Sequence, residues 1–193
     1  MIYSLSGEIK AKAKNFFILE NNGIGYKILT NGETLRKLGN PGTSIKCFCF
    51  LYVREDALEL FGFLEEEALK LFEILNAVAG VGPKTALGIL DIDTVPNILA
   101  AIIEKRADIL THASGIGQKT ADRIILELQS KIKMPATGHL TKQMDIDFEL
   151  EEILVNLGYQ RNRSRQTIQA LGKEAKTIEE RLRLALKSLS RTG

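Results

Sequence analysis

The chain has 193 residues, 45% of them apolar, and a formal net charge of only +2. That length suits one to two average domains or three small ones, and the near-neutral balance excludes a protein that holds nucleic acid by bulk basicity. No apolar run is long enough to span a bilayer, and the N-terminus lacks the order of a signal peptide, so no membrane partner and a cytoplasmic location are expected.

Residues 1–64 read as β. Tyr3 to Ile9, Phe16 to Leu19 and Gly25 to Leu29 are short and rich in aromatic or branched residues, and turns such as Asn21-Asn22-Gly23 separate them. A helical turn at Thr34 to Leu38 precedes two more strands, Ile45–Val53 and Leu58–Phe63. Five short strands with one helical insertion predict a small oligonucleotide-binding β-barrel. Cys47 and Cys49 share one strand face as small buried apolar residues, with neither a metal site nor a disulfide expected. Between the last two strands stands Arg54-Glu55-Asp56-Ala57. Its carboxylates are ordinary hairpin-turn charges unless the chain binds DNA, where they would repel phosphate.

From Glu65 the periodicity becomes helical, and residues 65–133 contain a heptamer that occurs twice. Gly80-Val81-Gly82-Pro83-Lys84-Thr85-Ala86 returns 35 residues later as Gly115-Ile116-Gly117-Gln118-Lys119-Thr120-Ala121. The repeat, set between apolar runs of helical period, predicts a tandem helix-hairpin-helix domain. Paired glycines allow a tight turn with positive φ, Val81 and Ile116 plug inward, and Pro83 suits a first helical turn. Outward N–H groups at the following helix start, with Lys84 or Lys119 and the threonines Thr85 and Thr120, can hold a phosphate without reading bases. Arg123, one turn beyond Lys119, adds a second candidate contact, and Arg54 a third. The segment's charge is −2, so placed amides rather than a basic field must do the binding.

Two other readings compete with this one. The glycines would make tight turns between core helices with the lysines solvated; the repeat argues against this. A Walker A phosphate loop needs Gly directly before Lys and a preceding strand, whereas Pro83 and Gln118 stand before the lysines here. Thr94-Val95-Pro96-Asn97 marks a capped helix start between the copies, and the last helix of the domain is expected from Gln118 to Ile132.

Residues 134–144 break all periodicity and read as a flexible linker. Residues 145–193 carry three short helices, with Gly158 and Gly172 at C-cap positions. Fewer than 50 residues give a marginal core, which suggests a docking module with an apolar surface. Arg161, Arg163 and Arg165 read as a solvated face. Asp91/Asp93, Asp145/Asp147 and Glu65-Glu66-Glu67 sit at helix ends or beside the linker, where acids stabilise termini; no catalytic residues, cofactor or metal are expected.

Across nearly the full length, residues from all three segments resemble the RuvA family of Holliday junction binding subunits. They are Met1-Ile2 with Gly7, Asn22-Gly23-Ile24-Gly25-Tyr26, Val53-Arg54-Glu55-Asp56-Ala57 with Phe61-Gly62-Phe63, both hairpins, and Leu157-Gly158-Tyr159. The resemblance implies an α+β multidomain protein that binds four-way DNA junctions as a homotetramer, or as an octamer of two tetramers, and holds them open and square. It implies that the hairpins contact the duplex arms and that Glu55 and Asp56 form an acidic pin at the crossover. It also implies that the C-terminal bundle engages the hexameric ATPase RuvB, through a surface assigned to Leu150, Leu154, Leu157, Gly158, Tyr159, Leu182 and Leu186, and that the resolvase RuvC shares the junction. Branch migration in recombination, DNA repair and the SOS response follows from it. Ala79, Ser114 and Gln118 depart from the family pattern and remove a hydroxyl and a positive charge near phosphate. The alternative is a helix-hairpin-helix component of a structure-specific nuclease or DNA glycosylase.

Overall fold

The computed structural model describes residues 1–132, 138–171 and 177–190. Two compact units form, residues 1–135 and 136–193. In the first, β1 (Ser4–Lys12), β2 (Phe16–Asn21), β3 (Ile24–Leu29), β4 (Ser44–Val53) and β5 (Leu58–Phe63) close into a barrel in the order β1-β2-β3-β5-β4. All neighbours are antiparallel except β3 and β5. Alternation along the strands sends Ile9, Phe17, Leu19, Ile28, Cys47, Cys49 and Leu60 into one core, as the predicted barrel requires. The Cys47 and Cys49 sulfurs lie 3.7 Å apart as buried free thiols. Hydrogen bonding to Cys49 and burial push the Cys47 thiol up, so it stays protonated.

The β4–β5 ribbon has a second apolar face outside the barrel, and this joins the barrel to the helices. Phe48 pairs with Phe63 and Phe50 with Phe61 across the ladder. Phe72, on α2 (Glu66–Asn76), lies 5.2 Å from the Phe61 and Phe63 ring centroids and 5.5 Å from that of Phe50. A second tie comes from α1 (Gly32–Lys37). Asn31 caps α1 by accepting from the Thr34 N–H at 3.2 Å, and its amide donates to the Leu90 carbonyl at 3.0 Å. That carbonyl closes α3 (Pro83–Leu90), and Asp91 just beyond it accepts from the Gly32 N–H at 2.6 Å. At residue 64, where the sequence divides strands from helices, the two layers pack together within the first unit.

α4 (Val95–Ile103), α5 (Ala107–Leu110) and α6 (Gln118–Leu128) complete this unit. Thr94 occupies the N-cap of α4 but its hydroxyl makes no cap bond. Asp93, one residue earlier, instead ties down the helix start, accepting from the Thr94 N–H at 2.6 Å and from the Asn97 side-chain amide at 2.8 Å, while burial pushes its carboxyl up. α6 ends at Leu128, short of the expected Ile132. No single helix is long and apolar enough to cross a membrane; the bent pair α3 and α4, at 100°, turns its apolar residues into the unit's core.

The second unit packs α7 (Gly138–Asn156), α8 (Arg161–Ala170) and α9 (Ile178–Ser190) around Leu150, Leu154, Ile168, Ala185 and Leu189. Residues 138–144 belong to α7, which corrects the linker reading for that stretch: Thr141 and Met144 are buried three apart, so the helical face starts about two turns before Phe148. The rest of the linker as read, and Gly172, lie outside the described residues. Gly158, at φ +94°, ends α7 with paired bonds from Tyr159 N–H to Leu154 O and from Gly158 N–H to Val155 O. The three arginines are not a free solvated face. Arg165 forks onto the buried Glu151 at 2.9 and 3.0 Å, Arg161 reaches Glu151 at 2.9 Å, and Arg163 donates to the Leu189 carbonyl.

Truncating Phe72 to alanine would empty the joint between barrel and helices and is expected to cost about 3–5 kcal/mol. Urea denaturation followed by circular dichroism measures it, and a loss below about 1 kcal/mol would mean that the aromatic joint is not what unites the two layers.

Candidate nucleic-acid interface

The two heptamers fold alike, residue for residue. Gly80 and Gly115 have φ of +89° and +83°, where side chains with a Cβ are strained. Gly82 and Gly117 are the N-caps of α3 and α6, with φ and ψ of −91° and 174°, and −93° and 169°. Between them Val81 and Ile116 are buried, as predicted, and their N–H groups donate to Val78 O and Ala113 O at 3.0 and 3.1 Å. The first helix of copy one is α2; that of copy two is only the four residues of α5.

Each bend presents unused donors. Among the described residues, the N–H groups of Gly82, Lys84 and Thr85 in the first copy, and of Gly117, Gln118 and Lys119 in the second, donate to no carbonyl or side chain. In the second copy the Thr120 N–H is taken by Gly117 O at 3.0 Å. Lys84 and Lys119 are exposed and, among the described residues, outside any ion pair. With the positive end of the helix dipole, such a bend is built to receive an anion. A Cβ added at Gly82, Gly115 or Gly117 would meet nothing within 4 Å, so the missing side chain leaves space for something outside the chain.

The copies also hold each other. Arg123 Nη1 donates to the Ala79 carbonyl at 3.0 Å, so the second copy's helix grips the first copy's bend. Thirty-five residues earlier, at the position equivalent to Arg123, stands Gly88, and a Cβ there would lie 3.8 Å from the Ser114 carbonyl, the equivalent of Ala79 O. Each copy's second helix thus lies beside the other copy's bend at the equivalent position, bonded on one side and merely close on the other. Arg123 therefore spends one guanidinium nitrogen on the fold. Gln118 pairs with Asp122 at 3.0 Å, and the departures at Ala79 and Ser114 keep their main-chain roles.

The β4–β5 tip carries Glu55 and Asp56 exposed and, among the described residues, without an ion pair. Arg54 folds back, its Nε donating to Tyr52 Oη at 2.6 Å with the guanidinium 5.0 Å from that ring's centroid. In the second unit the residues assigned to a partner surface divide. Leu150 and Leu154 are core, and Tyr159, Leu182 and Leu186 pack against it, so they cannot all face a partner. Leu157 is 57% exposed, and Leu184, which sequence reasoning missed, is 43% exposed.

The other carboxylate clusters have structural work. Glu65 pairs with Lys37, Glu66 with Lys70 and the Tyr3 hydroxyl, and Asp147 with Arg181. Among the described residues no group of three His, Cys, Asp or Glu side chains is placed to hold a metal ion.

Comparison with known proteins covers the chain in three pieces. A family model described as RuvA N terminal domain matches residues 1–62, a SAM-like helix-hairpin-helix tandem matches 72–130, and a RuvA C-terminal domain matches 149–190. A protein of Acetivibrio thermocellus named Holliday junction branch migration complex subunit RuvA is 37% identical over 201 residues, covering 99% of this chain and 100% of its own. Proteins of the same name from Chloroflexus aggregans and Dehalococcoides mccartyi are 42% and 37% identical, over 97% and 96% of this chain and 97% of each relative.

The four glycines of the bends are expected to separate in pairs. Gly80→Ala and Gly115→Ala each strain a positive φ and should lower stability by about 1–2 kcal/mol. Gly82→Ala and Gly117→Ala, at extended φ facing open space, should stay within about 1 kcal/mol of the parent. Thermal melts of the four variants check the order, and equal losses at all four would contradict it.

Proposed function

The chain belongs to the RuvA family, and from that premise we propose that it is the DNA-binding subunit of a Holliday junction branch migration complex, acting in recombination and repair. The observation that carries this reading is the pair of matched bends, set side by side by reciprocal contact, each with main-chain donors and a lysine turned outward. Two such bends grip two sugar-phosphate positions on a duplex arm without reading sequence, which suits a protein that must let base pairs pass. The donors are the N–H groups around Gly82 and Gly117, supported by Lys84, Thr85, Lys119 and Thr120 and by what Arg123 has left after its bond to Ala79 O.

The Glu55 and Asp56 carboxylates repel the backbones that converge on a crossover. Four copies around a fourfold axis would hold the strands apart there, and a homotetramer, or two face to face, is the assembly this requires. Arg54, folded on Tyr52, shapes the tip rather than reaching along the backbone. ATP hydrolysis belongs to RuvB, docked on the second unit by a surface that includes Leu157 and Leu184. RuvC would reach the junction from the open side. The nuclease or glycosylase alternative lacks an observation in its favour, since the carboxylates it would recruit are engaged in caps and ion pairs.

Gel-shift competition between a synthetic four-way junction and linear duplex of the same arms tests the reading. The junction is expected to win by at least about tenfold, with affinity falling steeply as salt rises. Gly82→Ala with Gly117→Ala should weaken both complexes by about tenfold or more while the melt is kept, because two methyl groups block the approach of phosphate to the amides. Mg²⁺-dependent cleavage of the junction, or equal affinity for both DNAs, would overturn it.

A further inference from the structure

We propose that Val53 and Leu58 form an apolar platform that takes the uncovered face of a base pair where the arms of the junction part. This deepens the junction-binding reading and rests on it. The inward-facing row of the barrel runs along the β4–β5 ladder through Cys49 opposite Gly62, then Leu51 opposite Leu60, then Val53 opposite Leu58. The first pairs lie in or against the barrel core. The last runs out past it, and Val53 and Leu58 are 63% and 72% exposed. Single exposed apolar side chains need no explanation. These two are directly opposed on one face, a few ångströms apart, and among the described residues they are the only large exposed apolar side chains paired across a ladder.

Charge decides what such a pair can cover. Glu55 and Asp56 stand between them in the chain without a balancing cation, and Arg54, the near one, is turned back onto Tyr52. An apolar patch under two unpaired carboxylates rejects phosphate and accepts an uncharged flat surface. In continuous duplex that surface is hidden in the stack. It is uncovered where stacking is interrupted, and apolar side chains set against interrupted base steps are an established way of holding bent or opened DNA. The carboxylates would keep backbones away while the platform replaces the lost stacking partner.

The test uses the full-length chain, a four-way junction carrying 2-aminopurine beside the crossover, and the double variant Val53→Thr with Leu58→Gln. Both positions are exposed, so the melt should not change. The parent is expected to alter 2-aminopurine emission on binding. The double variant should lose most of that change and at least about fivefold of its preference for junction over duplex, with duplex affinity and sedimentation unchanged. Unaltered emission and preference would overturn the platform. So would a smaller assembly by sedimentation, since the pair would then be a contact between copies. If the parent itself fails to prefer the junction, the functional reading beneath the platform fails instead.

Discussion

Reciprocal contact between the two helix-hairpin-helix copies is the constraint on which the proposed site depends. One bend alone offers three main-chain donors and a lysine, a modest grip on a single anion. The bond from Arg123 to Ala79 O, and the close approach of Gly88 to Ser114 O, fix the second bend relative to the first. A duplex arm bound as proposed would meet two sites whose separation is set by the fold, and the second contact would follow the first at high effective concentration. This is how a segment of net charge −2 can take hold of a polyanion.

The same economy governs the barrel. Its β4–β5 ribbon is apolar on both faces, one filling the barrel and the other gripping Phe72, so the hairpin tip rises from a ribbon packed on both sides. The link from Asn31 and Gly32 to the end of α3 adds polar ties from the barrel to the helix that begins at the first bend. Carboxylates at the tip and donors at the bends are thereby carried on one body, and neither can drift without disturbing a buried contact.

Much of this was legible in the sequence because the turn chemistry is local. Gly, aliphatic, Gly and a helix start encode a bend within seven residues, and a second copy in register removes most of the ambiguity. Strand alternation likewise pointed to the barrel and its charged tip, but not to the order of its strands, which pairs β3 with β5. What could not be read depends on proximity between distant segments. Arg123 stands on the face of Lys119, as helical spacing requires, but only the fold reveals that its partner is a carbonyl 44 residues away. Leu150 and Leu154 have the period of an amphipathic helix, which does not say whether the apolar face meets its own bundle or a partner; here it meets the bundle. The start of α4 is held by Asp93, whose carboxylate takes the Thr94 N–H and the Asn97 side chain rather than leaving a cap bond to the Thr94 hydroxyl, and α7 begins early because Thr141 and Met144 extend a face that the glycine and proline nearby had obscured.

The two copies are equal at the bend and unequal beneath it. α2 sets the first bend on eleven residues of helix anchored by an aromatic cluster, whereas α5 gives the second a single turn. A helix that short has almost no stability of its own and takes its order from its neighbours. The first bend therefore stands on a helix with many contacts of its own, and the second on one turn whose order comes from the neighbours that bury Ala107, Ile109 and Leu110. Loosening the packing around α5 would therefore disturb the second bend before the first, though the two share one heptamer.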